Sequence, residues 1–141
     1  MIYTSYFAKL KSLPESVIPI SICAKPPAFY KGLQYKKLAP TYDILMQWEK
    51  DHDDAAYIQK YEALLSNLDV NVVLKEFAAL LPPDIKKCDI ALICYEKPTD
   101  FCHRHLVAKW LNKNLHKCEE YDFTKEQQFN QEQMELDSPE H

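Results

Sequence analysis

Glycine and arginine each occur only once in this 141-residue chain, as Gly32 and Arg104. A single glycine excludes the glycine-rich phosphate loops of nucleotide-binding proteins, which need several glycines within a few residues. No run approaches the roughly 18 apolar residues of a membrane span, and the first residues lack the basic and long apolar regions of a signal peptide. The five cysteines are odd in number and irregularly spaced, as is typical of reduced thiols. The sequence therefore predicts a cytoplasmic protein without a membrane partner.

Charge is divided unevenly along the chain. Residues 119–141 contain eight acidic side chains and one basic one, whereas residues 1–118 contain 13 acidic and 16 basic side chains. A polar, acidic segment with few aliphatic residues buries too little surface to order itself. We therefore expect a single α/β domain over residues 1–118, followed by an acidic, disordered tail over residues 119–141.

Three short runs of β-branched and aromatic residues predict strands at Tyr3–Phe7, Val17–Ile22 and Ile90–Tyr95. Near-continuous apolar runs of this kind are typical of parallel strands covered on both faces. Helical spacing predicts a last helix over residues 101–115 and three helices between the second and third strands. Their expected N-caps are Thr41, Asp53 or Asp54, and Asn67 or Asp69. The predicted fold is α/β, with a small, mainly parallel sheet and helices on both faces in a Rossmann-like three-layer arrangement.

The segment that follows the third predicted strand holds the candidate catalytic residues. Cys94 and Glu96 lie at the end of this strand, and Cys102 and His103 lie where the next helix begins. These two positions commonly face one crevice in α/β proteins. With Thr99 or Asp100 as N-cap, Cys102 would occupy the first helical turn, where the helix dipole favours a thiolate. One hypothesis is therefore a thiol-dependent enzyme or a redox-sensitive protein that uses Cys94 and Cys102.

A second hypothesis, which the sequence favours more, is a site for an anionic ligand at the same edge of the sheet. Arg104 offers a planar donor group suited to phosphate or carboxylate, unless it forms a salt bridge with Glu96 or Asp100. Lysine can attract phosphate and an aromatic ring can stack on a base. This leads us to expect a nucleotide or nucleic-acid phosphate as ligand. The further candidate ligand-binding residues are Thr4, Ser5, Lys25, Tyr30, Tyr35, Lys36 and His105.

Two other possibilities stay open. Cys94, Cys102, His103 and His105 could supply zinc ligands, but their spacing matches no standard zinc pattern. His103 and His105 would also point about 200° apart on a helix. We therefore expect no metal or other cofactor. The chain could instead be a non-enzymatic interaction protein whose acidic tail or basic segment is the contact surface.

Several motifs resemble the bacterial and phage proteins grouped as domain of unknown function family 488. They are Tyr-Thr-Ser-Tyr-Phe near the start, Pro-Ile-Ser-Ile-Cys-Ala-Lys-Pro-Pro after it, and above all Ala-Leu-Ile-Cys-Tyr-Glu-Lys-Pro-x-Asp-Phe-Cys-His-Arg-His-Leu-Val-Ala. The resemblance covers roughly residues 1–113. It implies a small α/β fold with the signature at the carboxyl edge of the sheet, and it implies no particular reaction. The candidate site residues that the resemblance implies for this chain are Cys94, Glu96, Cys102, His103 and Arg104.

Overall fold

The computed structural model of the protein describes residues 1–84, 88–96 and 101–124. Within these residues, five strands form one sheet, and every neighbouring pair of strands is parallel. In chain order the strands are β1 (Ile2–Tyr6), β2 (Val17–Ser21), β3 (Leu33–Gln34), β4 (Asp89–Cys94) and β5 (Cys118–Glu120). Their order in the sheet is β3-β2-β4-β1-β5, which places β4 in the middle.

Four α-helices accompany the sheet in the described part of the chain. They are α1 (Tyr42–Asp51), α2 (Asp54–Ser66), α3 (Val70–Leu80) and α4 (His103–Lys113). Two short 3₁₀ helices span Phe7–Ser12 and Lys36–Leu38. The side chains of Thr41, Asp53 and Asp69 accept hydrogen bonds from the first backbone N–H groups of α1, α2 and α3, as N-caps do. None of the helices described here has the length and apolar character needed to span a membrane.

The core lies where the central strand meets the helices. Ala91, Leu92 and Ile93 of β4 have no exposed surface, and Val107 and Leu111 of α4 are equally buried. A strand with neighbours on both edges and buried side chains on both faces needs a continuous apolar sequence, which β4 has. The predicted three-layer α/β fold is confirmed.

The three predicted strands are present, and their ends agree with the prediction to within one residue. The two edge strands, β3 and β5, escaped sequence analysis because two or three residues carry no recognisable periodicity. The boundary expected between residues 118 and 119 falls inside β5, whose Glu119 and Glu120 pair with β1. Residues 125–141, most of the predicted acidic tail, lie outside the described residues.

The start of the last helix differs from the prediction. Cys102 has extended backbone angles and is itself the N-cap of α4, so the first helical residue is His103. The predicted caps, Thr99 and Asp100, lie outside the described residues. An N-cap side chain remains beside the free N–H groups of the first turn, so the helix terminus still favours a negative charge on the Cys102 sulfur.

Candidate functional site

The carboxyl edge of the sheet opens into a cavity of about 470 Å³. Three sulfur atoms line it, because Cys23 follows β2, Cys94 ends β4 and Cys102 caps α4. Parallel strands direct their carboxyl ends to one edge, where ligands of open α/β sheets bind. The other lining residues are Ala24, Lys25, Pro40, Leu45, Trp48, Tyr57, Tyr95, Glu96, Phe101 and His103.

Cys94, Cys102 and His103 form a compact cluster at this cavity. One ligand atom from each residue lies within 4.8 Å of the other two. The Nδ1 atom of His103 is 3.7 Å from the Cys94 sulfur and 3.9 Å from the Cys102 sulfur. All three side chains are buried, with Cys102 and His103 each 7% exposed. Tertiary structure has therefore joined a strand end, a helix cap and the first turn of that helix into one polar group.

The backbone carbonyl of Ile22 sets the orientation of the His103 ring. Nε2 lies 2.8 Å from this oxygen, which can only accept a hydrogen bond, so Nε2 carries a proton. Nδ1 is the ring nitrogen next to the Cys102 sulfur, whereas the Cys94 sulfur lies beside the ring, 3.7 Å from Nδ1 and 3.6 Å from Nε2. Tyr61, which is fully buried, packs edge-on against the ring with 5.5 Å between centroids. The imidazole is held in one place before any ligand arrives.

The environment gives the clustered thiols opposite tendencies to ionise. Burial raises the pKa of Cys94 far above its usual value, and neighbouring Cys102 and Cys23 raise it further. A hydrogen bond from Cys94 lowers the pKa of Cys102 well below its usual range, against the effect of burial. His103 and the backbone N–H of Arg104 lower it further. These shifts favour the proton on Cys94 and the negative charge on Cys102.

The same interactions shift the pKa of His103 in the opposite direction from that of Cys102. Burial lowers its pKa, but the hydrogen bond and charge of Cys102, with the Ile22 carbonyl, outweigh burial, so the net pKa is raised. The negative charge favoured on Cys102 and the positive charge favoured on His103 attract each other in a largely apolar cavity, where this attraction is stronger than in water. This pairing is the usual setting of an activated cysteine.

The same three side chains are the residues that could hold a metal ion in the described part of the chain. Two thiolates and one imidazole suit zinc, and a histidine that ligates metal usually donates its other N–H to a carbonyl, as His103 does to Ile22. The fourth predicted zinc ligand, His105, is not part of the cluster.

Arg104 occupies a different position from the one expected of a ligand-binding residue. It has no exposed surface, and its Nε and Nη2 atoms donate to the Glu120 carboxylate at 3.1 and 3.2 Å. Its Nη1 atom donates to the Glu96 carbonyl. The salt bridge expected with Glu96 or Asp100 is thus made with Glu120. An anion could reach this guanidinium only if the Glu120 pair opened, so an anionic ligand here stays a prediction.

The remaining predicted site residues are scattered. Lys25 and Glu96 line the cavity and are exposed. Thr4 and Ser5 are buried in β1, where the Thr4 hydroxyl donates to Glu120 at 2.6 Å and the Ser5 hydroxyl has no hydrogen-bond partner among the described residues. The hydroxyl of Tyr30 donates to the Leu33 carbonyl and that of Tyr35 to Glu76. Lys36 is exposed in the second 3₁₀ helix, and His105 is half-buried in α4.

Sequence analysis missed two parts of the site. Cys23 was not among the predicted site residues, although its place two residues after β2 could have assigned it to the same edge as Cys94. The aromatic residues Trp48, Tyr57 and Phe101 come from three separate segments. Their apolar character predicted burial, but nothing in the linear pattern indicated that they would surround a cavity.

A family model described as the active DUF488-N3 subclade, DUF488-N3a, matches residues 14–115. The match covers well over half of the chain and confirms the resemblance seen in the motifs. It includes Cys23, Cys94, Cys102 and His103, and it stops before Glu120. No curated protein and no solved structure matches the chain.

Proposed function

The chain belongs to the DUF488-N3a subclade, and we propose that it is a thiol-dependent enzyme in which Cys102 is the nucleophile. The single observation that carries this proposal is the cluster of Cys94, Cys102 and His103 at the cavity. The description of the matched family as an active subclade agrees with a catalytic role.

Cys102 is the best candidate among the three sulfurs that line the cavity. Cys94 is 1% exposed and keeps its proton because burial and the neighbouring thiols raise its pKa. The pKa of Cys23 is also lowered, first by a hydrogen bond from Cys94. Cys94 has only one proton to donate, however, and Cys102 alone lies at the amino end of α4 beside His103. The thiolate is therefore best stabilised on Cys102.

The proposed reaction begins when the Cys102 sulfur forms a bond to an electrophilic carbon of the substrate. The electron pair of the carbon–heteroatom π bond moves to the heteroatom. That atom takes the proton from Nδ1 of the His103 imidazolium. A thiolate, an imidazolium and a neutral substrate thus give a neutral adduct and a neutral imidazole, so charge and protons balance. Nε2 of His103 keeps its hydrogen bond to Ile22 throughout.

The test is the rate at which iodoacetamide alkylates each cysteine in metal-free protein, followed by mass spectrometry. Below its pKa of about 8.5, an ordinary thiol reacts about tenfold faster per pH unit because the thiolate fraction rises. Since the pKa of Cys102 is lowered, its rate should already be level between about pH 6 and pH 9. Cys88, which is more exposed and does not line the cavity, provides an internal comparison.

Variants identify the cause of the reactivity. His103→Gln and Cys94→Ala each remove a group that favours the Cys102 thiolate, so both should slow alkylation at pH 6 and restore a rise with pH. Cys118→Ala is the matched control, because Cys118 is a buried thiol in β5 outside the cavity. The proposal fails if Cys102 reacts more slowly than Cys88 at pH 6. It also fails if the native protein holds about one zinc ion per chain that shields Cys94 and Cys102.

A further inference from the structure

The cavity has an aromatic wall whose rings contact one another. The rings of Trp48 and Phe101 are nearly parallel, at 20° with 6.1 Å between centroids, and Tyr57 meets Phe101 edge-on at 4.9 Å. Trp48 is held by a hydrogen bond from its Nε1 to Asp54 at 2.7 Å and by the ring of His52. Side chains fixed in this way lose little freedom when a ligand arrives.

Charges are distributed so that the interior of the cavity does not suit an ion. Besides Lys25 and Glu96, the ionisable groups that line it are three thiols, two phenols and the imidazole of His103, which contacts Cys94 and Cys102. Lys25 and Glu96 have opposite charges and are exposed. Arg104, the one arginine, does not line the cavity and is paired with Glu120. Lys25 is the one lysine among the lining residues, and because it is exposed its charge is solvated and screened. An anion inside would therefore recover little of its lost hydration energy, whereas burying a neutral group costs far less.

The size of the cavity limits the ligand further. Its volume of about 470 Å³ is roughly three times that of an engineered cavity of about 150 Å³ that binds benzene. Two fused rings with a small substituent would therefore fit inside it. Aromatic side chains favour such rings over saturated ones of equal size, because offset-stacked and edge-to-face contacts add to the gain from burial.

We propose that this cavity binds a planar, uncharged aromatic or heteroaromatic group, which lies along Trp48 and Phe101 with its reactive atom next to Cys102. The role of Cys102 in this statement rests on the proposed function. The preference for a flat, neutral ring rests only on the wall and on the distribution of charge.

Equilibrium dialysis of the full chain with three probes tests this preference. 2-Naphthamide is planar and neutral, 2-naphthoate is planar and anionic, and decahydro-2-naphthamide is neutral and saturated. We expect 2-naphthamide to bind roughly tenfold more tightly than either of the others. At saturation it should also slow the alkylation of Cys102 and leave that of Cys88 unchanged.

Trp48→Leu should remove most of this preference, whereas Trp110→Leu should keep it. Trp110 is a matched control because it is the second tryptophan of the chain and lines a different groove, between α2 and α4. If Trp48→Leu does not fold, Phe101→Leu serves the same purpose. Equal binding of the three probes, tighter binding of 2-naphthoate, or a preference that survives both wall substitutions would overturn the inference.

The two proposals fail in different ways. Fast alkylation of Cys102 without selective probe binding would leave the nucleophile standing and remove the ring site. Selective binding of 2-naphthamide with a slow Cys102 would retain the ring site as a binding site and remove the proposed function.

Discussion

Replacement of Glu120 by glutamine should destabilise the protein through Arg104. The carboxylate of Glu120 accepts hydrogen bonds from two Arg104 nitrogens and from the Thr4 hydroxyl. Glutamine has almost the same shape, but it removes the negative charge and turns one acceptor into a donor. Arg104 has no exposed surface, so its positive charge would remain in the core without a counter-ion.

The expected loss in free energy of unfolding depends on how deeply the Arg104–Glu120 pair is buried. Removal of one partner of a buried ion pair costs about 3–5 kcal/mol. The Glu120 side chain is 26% exposed, so water can solvate part of the site, and we expect a loss of about 2–3 kcal/mol. For a chain of this size, that corresponds to a fall in melting temperature of roughly 5–10 °C.

Equilibrium unfolding in urea measures this loss, with Glu119→Gln as the matched control. Glu119 is the neighbouring residue of β5 and is exposed, so the same change there should stay within about 0.5 kcal/mol of the parent protein. In a double-mutant cycle with Arg104→Met, the combined loss should be smaller than the two single losses added together. Equal stabilities for the Glu120 and Glu119 variants would refute the reasoning.

Two further substitutions test the packing around the site by the same urea measurement. Tyr61→Phe should lower the free energy of unfolding by about 1–3 kcal/mol, because the buried Tyr61 hydroxyl donates to the Leu38 carbonyl, which would lose its partner. Its control is Tyr42→Phe, at an exposed position, which should leave the stability almost unchanged. Leu92→Ala should lower the free energy of unfolding by about 2–5 kcal/mol, because Leu92 is fully buried in the central strand. Its control is Val72→Ala, at an exposed position of α3. Similar losses for these two variants would contradict the assigned core.

The residues that reach Arg104 show why prediction from the sequence stopped short of the site. Arg104 stood out because it is the only arginine, and a salt bridge was one of its predicted roles. Its partner is 16 residues away in a segment expected to be a disordered tail. Glu120 reaches Arg104 because β5 pairs with β1 and places Glu120 beside Thr4. A three-residue edge strand is specified by this pairing and not by its own residues.

The sequence by itself determined the α/β class, the central strands, the N-caps of the first three helices and the segment that carries Cys94, Cys102 and His103. These features depend on local chemistry, namely on apolar periodicity, on side chains that cap helices and on a short motif. Only the tertiary structure decided that Cys23 joins the other thiols, that aromatic rings from three segments enclose them, and that Arg104 is paired with Glu120. Each of these contacts joins residues far apart in the chain, and it forms only when the parallel sheet brings its carboxyl ends to one edge.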